Sequence, residues 1–496
     1  MIISAVIGLA STRIILLSLG VDDYGIYNLV VGVVGMLTVL NSAMGTSTQR
    51  FLSHTMGEND FNKLKTIFST SHLIHIFLAI LIFILMLLTR DYIINEFLNI
   101  PAHRLDIASK IYILVVFSTF FTIATSPFDG NLVANENFLI IAIAEILISI
   151  INLVGAIVVY YSNGDKLFIY AIVTTFGTIG IAIFKQLYSV LKYKECNLIP
   201  NKLSRKYFKE LTSFAGWNLF GALCGLARGQ GISVLMNIYF GVKANAAYGI
   251  AGQVNGQVNS LSTVVTKAIY PQLMKAEGGG DRESMLRLSM LSTIIPFVLM
   301  SILCVPLIVE IEFILKIWLN KLPPHTTRLV ILMLLLALTT TLSTGIGAAI
   351  SSIGRIKVYQ IVTGILLLIG LPATIIFFEN GFSVYWAIII AIIIEICIHI
   401  VRLLFLKKIT LVSVRSILFG VDLKLIIVLT IGFLSSYWII FIFNTGFFRL
   451  ALVVLLSTFF ISLSVYVVLF NSKERKIIKM SVNKWLKLPN SKRSNE

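Results

Sequence analysis

The sequence predicts an all-α integral membrane protein with about fourteen transmembrane helices, in two parallel pseudo-symmetric six-helix lobes plus two extra C-terminal helices. Of its 496 residues, 57% are hydrophobic and 13% are charged, whereas a soluble domain is usually about 25% charged. Apolar segments of roughly 20 residues, the length that crosses a bilayer, make up most of the chain. The predicted spans are residues 1–19, 24–48, 66–89, 111–132, 138–161, 167–190, 211–239, 244–270, 286–309, 328–352, 357–378, 383–406, 423–444 and 447–470.

A diverged internal repeat predicts the two lobes. Residues 19–60 align without gaps on residues 240–281, a shift of 221, with nine identities in 42 positions. Such repeats are common in transporters, and chance similarity between two apolar segments is the alternative. Six predicted spans separate the copies, so both halves enter the membrane in the same direction, and a cleft is expected between them. The identical pairs are Gly20/Gly241, Val21/Val242, Tyr27/Tyr248, Val33/Val254, Gly35/Gly256, Leu40/Leu261, Leu52/Leu273, Gly57/Gly278 and Asp60/Asp281.

The basic residues predict the orientation of the chain. With the N-terminus in the cytoplasm, 28 of the 40 Lys and Arg residues lie on the cytoplasmic side, 9 lie outside and 3 lie within spans. The positive-inside rule then places both termini in the cytoplasm, and it explains the net charge of +17 without a nucleic-acid partner. The predicted parts are an N-lobe (1–190), a basic cytoplasmic linker (191–210), a C-lobe (211–408), two extra spans (409–470) and a basic cytoplasmic tail (471–496).

No enzyme motif occurs in the sequence. It contains no G-x-x-x-x-G-K-[ST], no H-E-x-x-H and no G-x-S-x-G, and its four cysteines show no metal or disulfide spacing. Asp22 and Asp23 follow the first span, where some membrane glycosyltransferases place catalytic acids. Those enzymes have a sizeable loop there, and the loop predicted here is very short, so we interpret the pair as a solvated turn. The sequence predicts a protein that is not an enzyme, without catalytic residues, metal or cofactor.

Ionisable residues deep in predicted spans indicate function, because a bilayer makes isolated charges costly. At 1.5 Å per residue, Arg228 and Glu395 each lie about 18 Å inside a span and Glu145 lies roughly 10 Å inside. Arg13 lies roughly 9 Å from a span end, within snorkelling reach of the interface. Glu395 and His399 are four residues apart, which suits either a mutually satisfied pair or a proton-linked site. Glu145, Glu395 and His399 are therefore the ion-coupling candidates.

The predicted eighth span is unusually polar. It carries Asn255 and Asn259 among several amides spread around the helix, a pattern that favours a wet cavity. The preceding span carries Arg228, so the cavity is predicted to be cationic on the second lobe and suited to an anionic substrate. Lys267 and Arg50 lie close to span ends, where an interfacial anchor and a substrate contact are both open.

Three stretches of the chain resemble a known family. They are RIILLSLGVDDYGIYNLVVGVVGMLTVLNSAMGTSTQRFLS near the N-terminus, PFDGNLVANENF in the fourth span, and WNLFGALCGLARGQGISVLMNIYFGVKANAAYGIAGQVN in the seventh and eighth spans. These stretches are similar to the polysaccharide-biosynthesis flippases, the O-antigen and capsule exporters. That family belongs to the superfamily of the multidrug and toxic compound extruders and the lipid II flippase.

The resemblance implies a V-shaped, two-lobed transporter of the bacterial inner membrane. It would turn undecaprenyl-diphosphate-linked oligosaccharide from the cytoplasmic to the periplasmic leaflet by alternating access, driven by an ion gradient. Carried over by position, Arg13, Arg50, Arg228 and Lys267 would be the basic residues of the cavity and its cytoplasmic mouth. The implied partners are the lipid-linked oligosaccharide and membrane lipids, with other polysaccharide-assembly proteins as candidates and no nucleic acid.

Three other functions fit parts of the same pattern. A cation-coupled multidrug antiporter of the same fold would favour essential carboxylates and dispensable arginines. A membrane polysaccharide polymerase or glycosyltransferase would need a long external loop with catalytic residues, which the sequence does not contain. A membrane scaffold without transport activity would not need polar and charged spans.

The predicted orientation can be tested by cysteine labelling. We expect a cysteine at Asn163 to react with a membrane-impermeant thiol reagent added from outside, and a cysteine at Ser204 to be protected until the membrane is opened, because the positive-inside rule puts the basic linker in the cytoplasm. The reverse labelling pattern would contradict the predicted topology.

Overall fold

The computed structural model describes residues 2–35, 38–196, 203–319 and 322–469, and these residues are helical with no strand among them. Within them, eleven helices are long and apolar enough to cross a membrane, or up to twelve if one bent pair is a single span. The all-α membrane class is confirmed, but the exact number of fourteen spans is not. The predicted tail 471–496 lies outside the described residues.

The helices follow one another with short connections. They are α1 (Ile2–Gly35), α2 (Thr38–Glu58), α3 (Phe61–Tyr92), α4 (Leu105–Ala134), α5 (Phe138–Tyr161), α6 (Lys166–Lys192), α7 (Arg205–Gly278), α8 (Arg282–Val309), α9 (Ile311–Trp318), α10 (Thr326–Leu342), α11 (Thr344–Ile353), α12 (Lys357–Glu379), α13 (Trp386–Thr410), α14 (Val414–Ile417), α15 (Leu423–Ile442) and α16 (Phe447–Ser464). Single π-helical turns follow α3, α14 and α16.

The helices expose apolar side chains and bury polar ones, the reverse of a soluble protein. Leu88 is 80% exposed and Leu191 is 86% exposed, whereas Ser47 and Thr48 are fully buried. Hydrocarbon solvates leucine as well as a protein core does, while hydroxyl groups need partners inside the bundle. Thr48 accordingly hydrogen-bonds to the hydroxyl of Ser71 at 2.5 Å.

The two repeat copies share an unusual backbone break. Gly20 within α1 has φ 76° and ψ 175°, and Gly241 within α7 has φ 77° and ψ −178°. The sequence alignment pairs these two residues, and a positive φ with extended ψ is readily open only to glycine. The 74-residue α7 is therefore two helical segments joined at Gly241, which accounts for one of the helices by which the membrane-helix count falls short of the predicted spans.

The ends of the two copies also match. Asn59 and Gly280, which the repeat aligns, have φ 58° and φ 77°. Asp60 and Asp281 follow them, and each carboxylate accepts a hydrogen bond from a backbone N–H three residues further on, at 2.9 Å and 3.0 Å. Each copy thus ends in the same left-handed turn and starts the next helix with the same aspartate cap. These aligned backbone features favour duplication over chance similarity.

The contacts of the chain define two compact units. Unit 1 consists of Met1–Leu223, Tyr270–Met285 and Ser351–Ile361, and unit 2 consists of Cys224–Ile269, Leu286–Ile350 and the chain from Val362 onward. In unit 1, α4 packs against α3 and α6, and α1 packs against α5. Its core includes Ile111 and Tyr112, both fully buried.

Unit 2 contains the extra C-terminal helices. In this unit α10 packs against α13, and α15 packs against α16. Arg449 on α16 forms a two-pronged ion pair with Glu310, which precedes α9, with both nitrogen–oxygen distances at 2.7 Å. Both side chains are at least nine-tenths buried, so the pair holds α16 to the rest of unit 2.

Unit 1 has a linker end, which we define as the end where α6 finishes and α7 begins. The ends of α2 and α7 cross there without room for side chains. A Cβ on Gly57 would overlap the carbonyl of Lys275, and a Cβ on Gly278 would overlap the carbonyl of His54. The repeat aligns Gly57 with Gly278 and His54 with Lys275, so the crossing is reciprocal and glycine is needed on both sides.

We expect Gly278→Ala to destabilise the protein by about 1–3 kcal/mol, because the added methyl group overlaps backbone that cannot rotate away. The matched control is Gly249→Ala on the same helix, where a Cβ would have no atom within 4 Å. Thermal unfolding in detergent should show a lower Tm for Gly278→Ala and an unchanged or higher Tm for Gly249→Ala. Equal Tm values for the two variants would contradict the close crossing.

Candidate functional site

A cavity of about 590 Å³ opens at the linker end of unit 1. It lies between the end of α2, the start of α7 and the connection from α11 to α12. Four basic side chains and one carboxylate line it, together with three aromatic rings. The charged lining residues are Arg50, Lys209, Arg355, Lys357 and Glu210, and the aromatic ones are Phe51, Phe214 and Trp217.

Arg50 forms the inner wall of this cavity. Its side chain is 7% exposed, and its guanidinium carbon lies 4.6 Å from the ring centre of Phe51 and 5.4 Å from that of Phe214. One terminal nitrogen donates to the carbonyl of Ser352 at 2.8 Å, while Nε is buried without a hydrogen-bond partner. Aromatic faces attract a guanidinium, but they leave its hydrogen-bonding capacity unused.

The turn before α12 brings two more cations to the cavity. Gly354 has φ 86°, a backbone conformation that side chains with a Cβ rarely adopt, and a Cβ there would lie 2.5 Å from a terminal nitrogen of Arg50. Arg355 and Lys357 follow and are exposed to the cavity mouth. The Lys357 ammonium lies 5.5 Å from the ring centre of Trp217. The cavity therefore combines positive charge with a flat aromatic face.

An ion pair links the α4–α5 turn to α7 at the same end of unit 1. Glu136, between α4 and α5, accepts hydrogen bonds from the Lys275 ammonium at 2.6 Å and from the Gln272 amide at 3.0 Å. Burial raises the pKa of Glu136, but the two hydrogen bonds and the charge of Lys275 outweigh burial and bring the pKa below its ordinary value of 4.5. The carboxylate is therefore charged at neutral pH and holds the α4–α5 turn against the end of α7.

Unit 2 contains a buried ion pair at the deepest predicted arginine. Arg228 on α7 donates to Glu395 on α13 at 2.8 Å, and the two side chains are 18% and 6% exposed. The sequence places no acid near Arg228 on its own helix, so this partner comes from a helix far along the chain. The pair neutralises both charges, so the protein itself supplies the partner of Arg228.

His399 has partners that the sequence did not suggest. Its Nδ1 lies 2.8 Å from the hydroxyl of Ser343, and its Nε2 lies 2.9 Å from the carboxylate of Asp422. Glu395 pairs with Arg228. Glu395 and His399 therefore have different partners and do not pair with each other. All three members of the Ser343–His399–Asp422 cluster are more than nine-tenths buried.

The remaining predicted site residues lie apart from these groups. Arg13 in unit 1 and Lys267 in unit 2 are exposed side chains. In unit 2, Asn259 donates to the side-chain oxygen of Asn255 at 2.9 Å, so these two amides are linked along α7. Glu145 is exposed and lines a separate cavity of about 300 Å³ in unit 1 that also holds the ion pair of Lys185 with Asp129.

The sequence analysis did not predict several of the side chains at these sites. Lys209, Arg355 and Lys357 lie outside predicted spans or at a span end, where basic residues ordinarily serve as anchors. The only local signal was Gly354 directly before Arg355, which indicates a turn but not its neighbour. Asp422 was not predicted because it lies at the boundary of a predicted span, where depth within the span does not distinguish a functional charge from an ordinary one.

The geometry defines a class: a multi-pass, all-helical membrane protein with an internal duplication and a polar site in each unit. Residues 1–158 match the model of the MatE family. A comparison with curated protein sequences gives no match.

The fold is that of MATE transporters. A MATE structure in the bent conformation has a TM-score of 0.72 with 15% identity, over 82% of this chain and 92% of that one. A multidrug resistance MATE transporter of the MOP superfamily, in its outward-facing conformation, has a TM-score of 0.71 with 15% identity, over 82% and 93%. A MOP superfamily transporter from Pyrococcus furiosus has a TM-score of 0.67 with 15% identity, over 84% and 94%.

We expect Arg228→Ala to lower the stability of the folded protein by about 3 kcal/mol, because it leaves the Glu395 carboxylate buried and unpaired. The double variant Arg228→Ala with Glu395→Gln should recover much of that loss, since the remaining amide is neutral. Thermal unfolding and membrane abundance measure both effects. If the single variant has wild-type Tm and abundance, the ion pair contributes little to stability.

Proposed function

We propose that this protein is a flippase that moves undecaprenyl-diphosphate-linked oligosaccharide from the cytoplasmic to the periplasmic leaflet of a bacterial inner membrane. The observation that carries the proposal is the cavity at the linker end of unit 1. Its lining has more basic than acidic residues and includes aromatic rings, a combination that suits a diphosphate attached to a sugar.

The parts of such a substrate match separate parts of the cavity. A diphosphate offers several oxygen acceptors, and the basic side chains that line the cavity are hydrogen-bond donors. The indole of Trp217 offers a flat apolar surface beside the Lys357 ammonium, on which a sugar ring can pack. Val358 lines the cavity and is 57% exposed, so an isoprenoid tail can leave the cavity along an apolar edge and stay in the bilayer.

The charge distribution supports loading from the cytoplasm. The cavity adjoins the start of α7 and the predicted basic linker, which the positive-inside rule assigns to the cytoplasmic side. Lipid-linked sugars that carry a diphosphate are anionic, so the positive electrostatic potential at the linker end of unit 1 attracts them. An ion gradient would drive the movement by alternating access, and the partners would be the substrate, membrane lipids and other polysaccharide-assembly proteins.

A multidrug antiporter is the second candidate. One matched structure is a multidrug resistance MATE transporter, and the buried carboxylate of Glu395 suits a protein that handles cations. Against it, Glu395 is already neutralised by Arg228 and the open cavity of unit 1 is cationic. Another matched structure is described by a binding pocket of reverse polarity and a different function, so proteins of this fold differ in pocket charge.

We expect the double variant Arg355→Ser with Lys357→Ser to bind the lipid-linked diphosphate oligosaccharide at least roughly 10-fold more weakly in nanodiscs, because it loses two charge-assisted contacts. Both side chains are exposed at the cavity mouth, so folding should be unaffected. The same variant should fail to export polysaccharide in a complementation assay.

The matched control is Lys206→Ser, which removes an exposed cation from the start of α7 that does not line the cavity. Its affinity should stay within about twofold of wild type once salt screens the general field. Equal weakening by the control, or binding of cationic drugs with no binding of the diphosphate lipid, would argue for the antiporter or against a specific site.

A further inference from the structure

The cavity of about 300 Å³ in unit 1 lies among α4, α5 and α6. Three charged side chains line it, Asp129 on α4, Glu145 on α5 and Lys185 on α6, and the rest of its lining is apolar. Beyond the cavity α5 and α6 are in close contact, because a Cβ on Gly177 would lie 2.6 Å from a side-chain carbon of Ile151. The space is therefore a pocket between helices that diverge toward the linker end of unit 1.

The charges in this cavity do not balance. The ammonium of Lys185 lies 2.6 Å and 2.7 Å from the two carboxylate oxygens of Asp129, so these two charges form a pair. Within the described part of the chain, the Glu145 carboxylate has no ion pair and no hydrogen bond. The Ser149 hydroxyl donates to the backbone carbonyl of Glu145 and not to its side chain. Two carboxylates and one ammonium leave one negative charge without a partner.

The unpaired carboxylate lies on an apolar surface. Glu145 is exposed and is the only charged residue of α5, a helix that packs against α1 and α6 and leaves its other faces uncovered. Exposed neighbours on this helix include Ile143 and Leu147. An isolated carboxylate facing hydrocarbon is costly. Because lipid covers such a surface, a cation carried by a lipid is the partner that this location supplies.

The cavity lies at a depth that a lipid headgroup can reach. At 1.5 Å per residue, Glu145 is about 10 Å from the start of α5 and Lys185 is about 10 Å from the end of α6, so both lie at one level. Nearer the linker end, the amide of Asn137 donates to the hydroxyls of Tyr188 and Tyr193 at 3.0 Å and 2.9 Å. Tyrosine is enriched at membrane–water interfaces. The cavity is therefore about two helical turns from the interface.

We propose that this cavity binds the headgroup of a membrane phospholipid that carries a primary ammonium group. The ammonium has three N–H donors for the Glu145 carboxylate, and the lipid phosphate accepts from Lys185 in a charge-assisted contact. The acyl chains then follow the apolar surface of α5. A metal cation fits less well because Lys185 repels it, and an anionic lipid has no group for Glu145. This inference does not rest on the proposed flippase function.

The headgroup preference can be measured on the purified protein by native mass spectrometry with added lipids of identical acyl chains. Phosphatidylethanolamine should bind at least about fivefold more tightly than phosphatidylcholine, because the quaternary ammonium keeps its charge but has no N–H to donate. Stepwise N-methylation of the headgroup should weaken binding in order, a measurement that needs no variant. Glu145→Gln should bind the two lipids equally. Equal affinities in wild type would overturn the proposal.

The matched control is Glu283→Gln, which removes an exposed carboxylate at the start of α8 that does not line the cavity. This variant should keep the preference of wild type for phosphatidylethanolamine. Thermal unfolding in detergent without added lipid checks that both variants are folded. A preference that survives in Glu145→Gln, or that disappears equally in Glu283→Gln, would overturn the role of Glu145.

The phosphate contact needs a variant that removes the ion pair as a unit, because a single substitution would leave one charge unpaired. The double variant Asp129→Asn with Lys185→Gln should weaken both lipids by a similar factor of at least about threefold, since the phosphate is common to them. The ratio between the lipids should be retained. Unchanged affinities for both lipids would overturn the contact with Lys185.

Competition distinguishes a lipid from a soluble amine. Glycerophosphoethanolamine has the same headgroup without acyl chains, and it should compete at least roughly 100-fold more weakly than the lipid, because acyl chains add apolar contact with α5. Equal competition by the soluble headgroup would assign the cavity to a soluble ligand and overturn the lipid site. Tighter binding of phosphatidylglycerol than of phosphatidylethanolamine would also overturn it, because an anionic lipid has no cation for Glu145.

Discussion

The low dielectric of a bilayer makes an unpaired buried charge costly, and this constraint shapes both units of the protein. Arg228 pairs with Glu395, and Arg449 pairs with Glu310, each between helices distant in sequence. Such pairs do more than neutralise charge, since they fix which helix faces which within a unit. The apolar exterior has no such specificity, because any leucine is equally well solvated by lipid.

Charges that are not neutralised inside the bundle gather where water and ligands can reach them. At the linker end of unit 1, basic residues surround a cavity with a single carboxylate, and the innermost arginine is held by aromatic rings and a carbonyl. A cation held this way keeps its attraction for an external anion, unlike Arg228. The difference between the two arginines lies in their partners. Arg228 has a structural role in unit 2, whereas Arg50 is a candidate substrate contact in unit 1.

The duplication was visible in the sequence because its positions follow from backbone chemistry. Gly20 and Gly241 share a conformation open to glycine, and Gly57 and Gly278 lie where helices touch backbone to backbone. Such positions tolerate few other residues, so they stay recognisable when most of the repeat has diverged. The predicted site was found in part for a related reason, since depth in a span marked Arg228 and Glu395 as unusual and the spacing from Glu395 marked His399. Depth could not identify Asp422 or Arg355, which lie at span ends where charges are common.

The sequence by itself determined the membrane class, the repeat and the residues whose burial is costly, because composition and periodicity are local properties. Only the tertiary structure decided which partner each of those residues has. Arg50 meets the carbonyl of a residue 302 positions away, and Arg228 meets a carboxylate 167 positions away. Coulomb attraction and hydrogen bonding depend on distance in space, and the packing of helices from separate parts of the chain sets that distance.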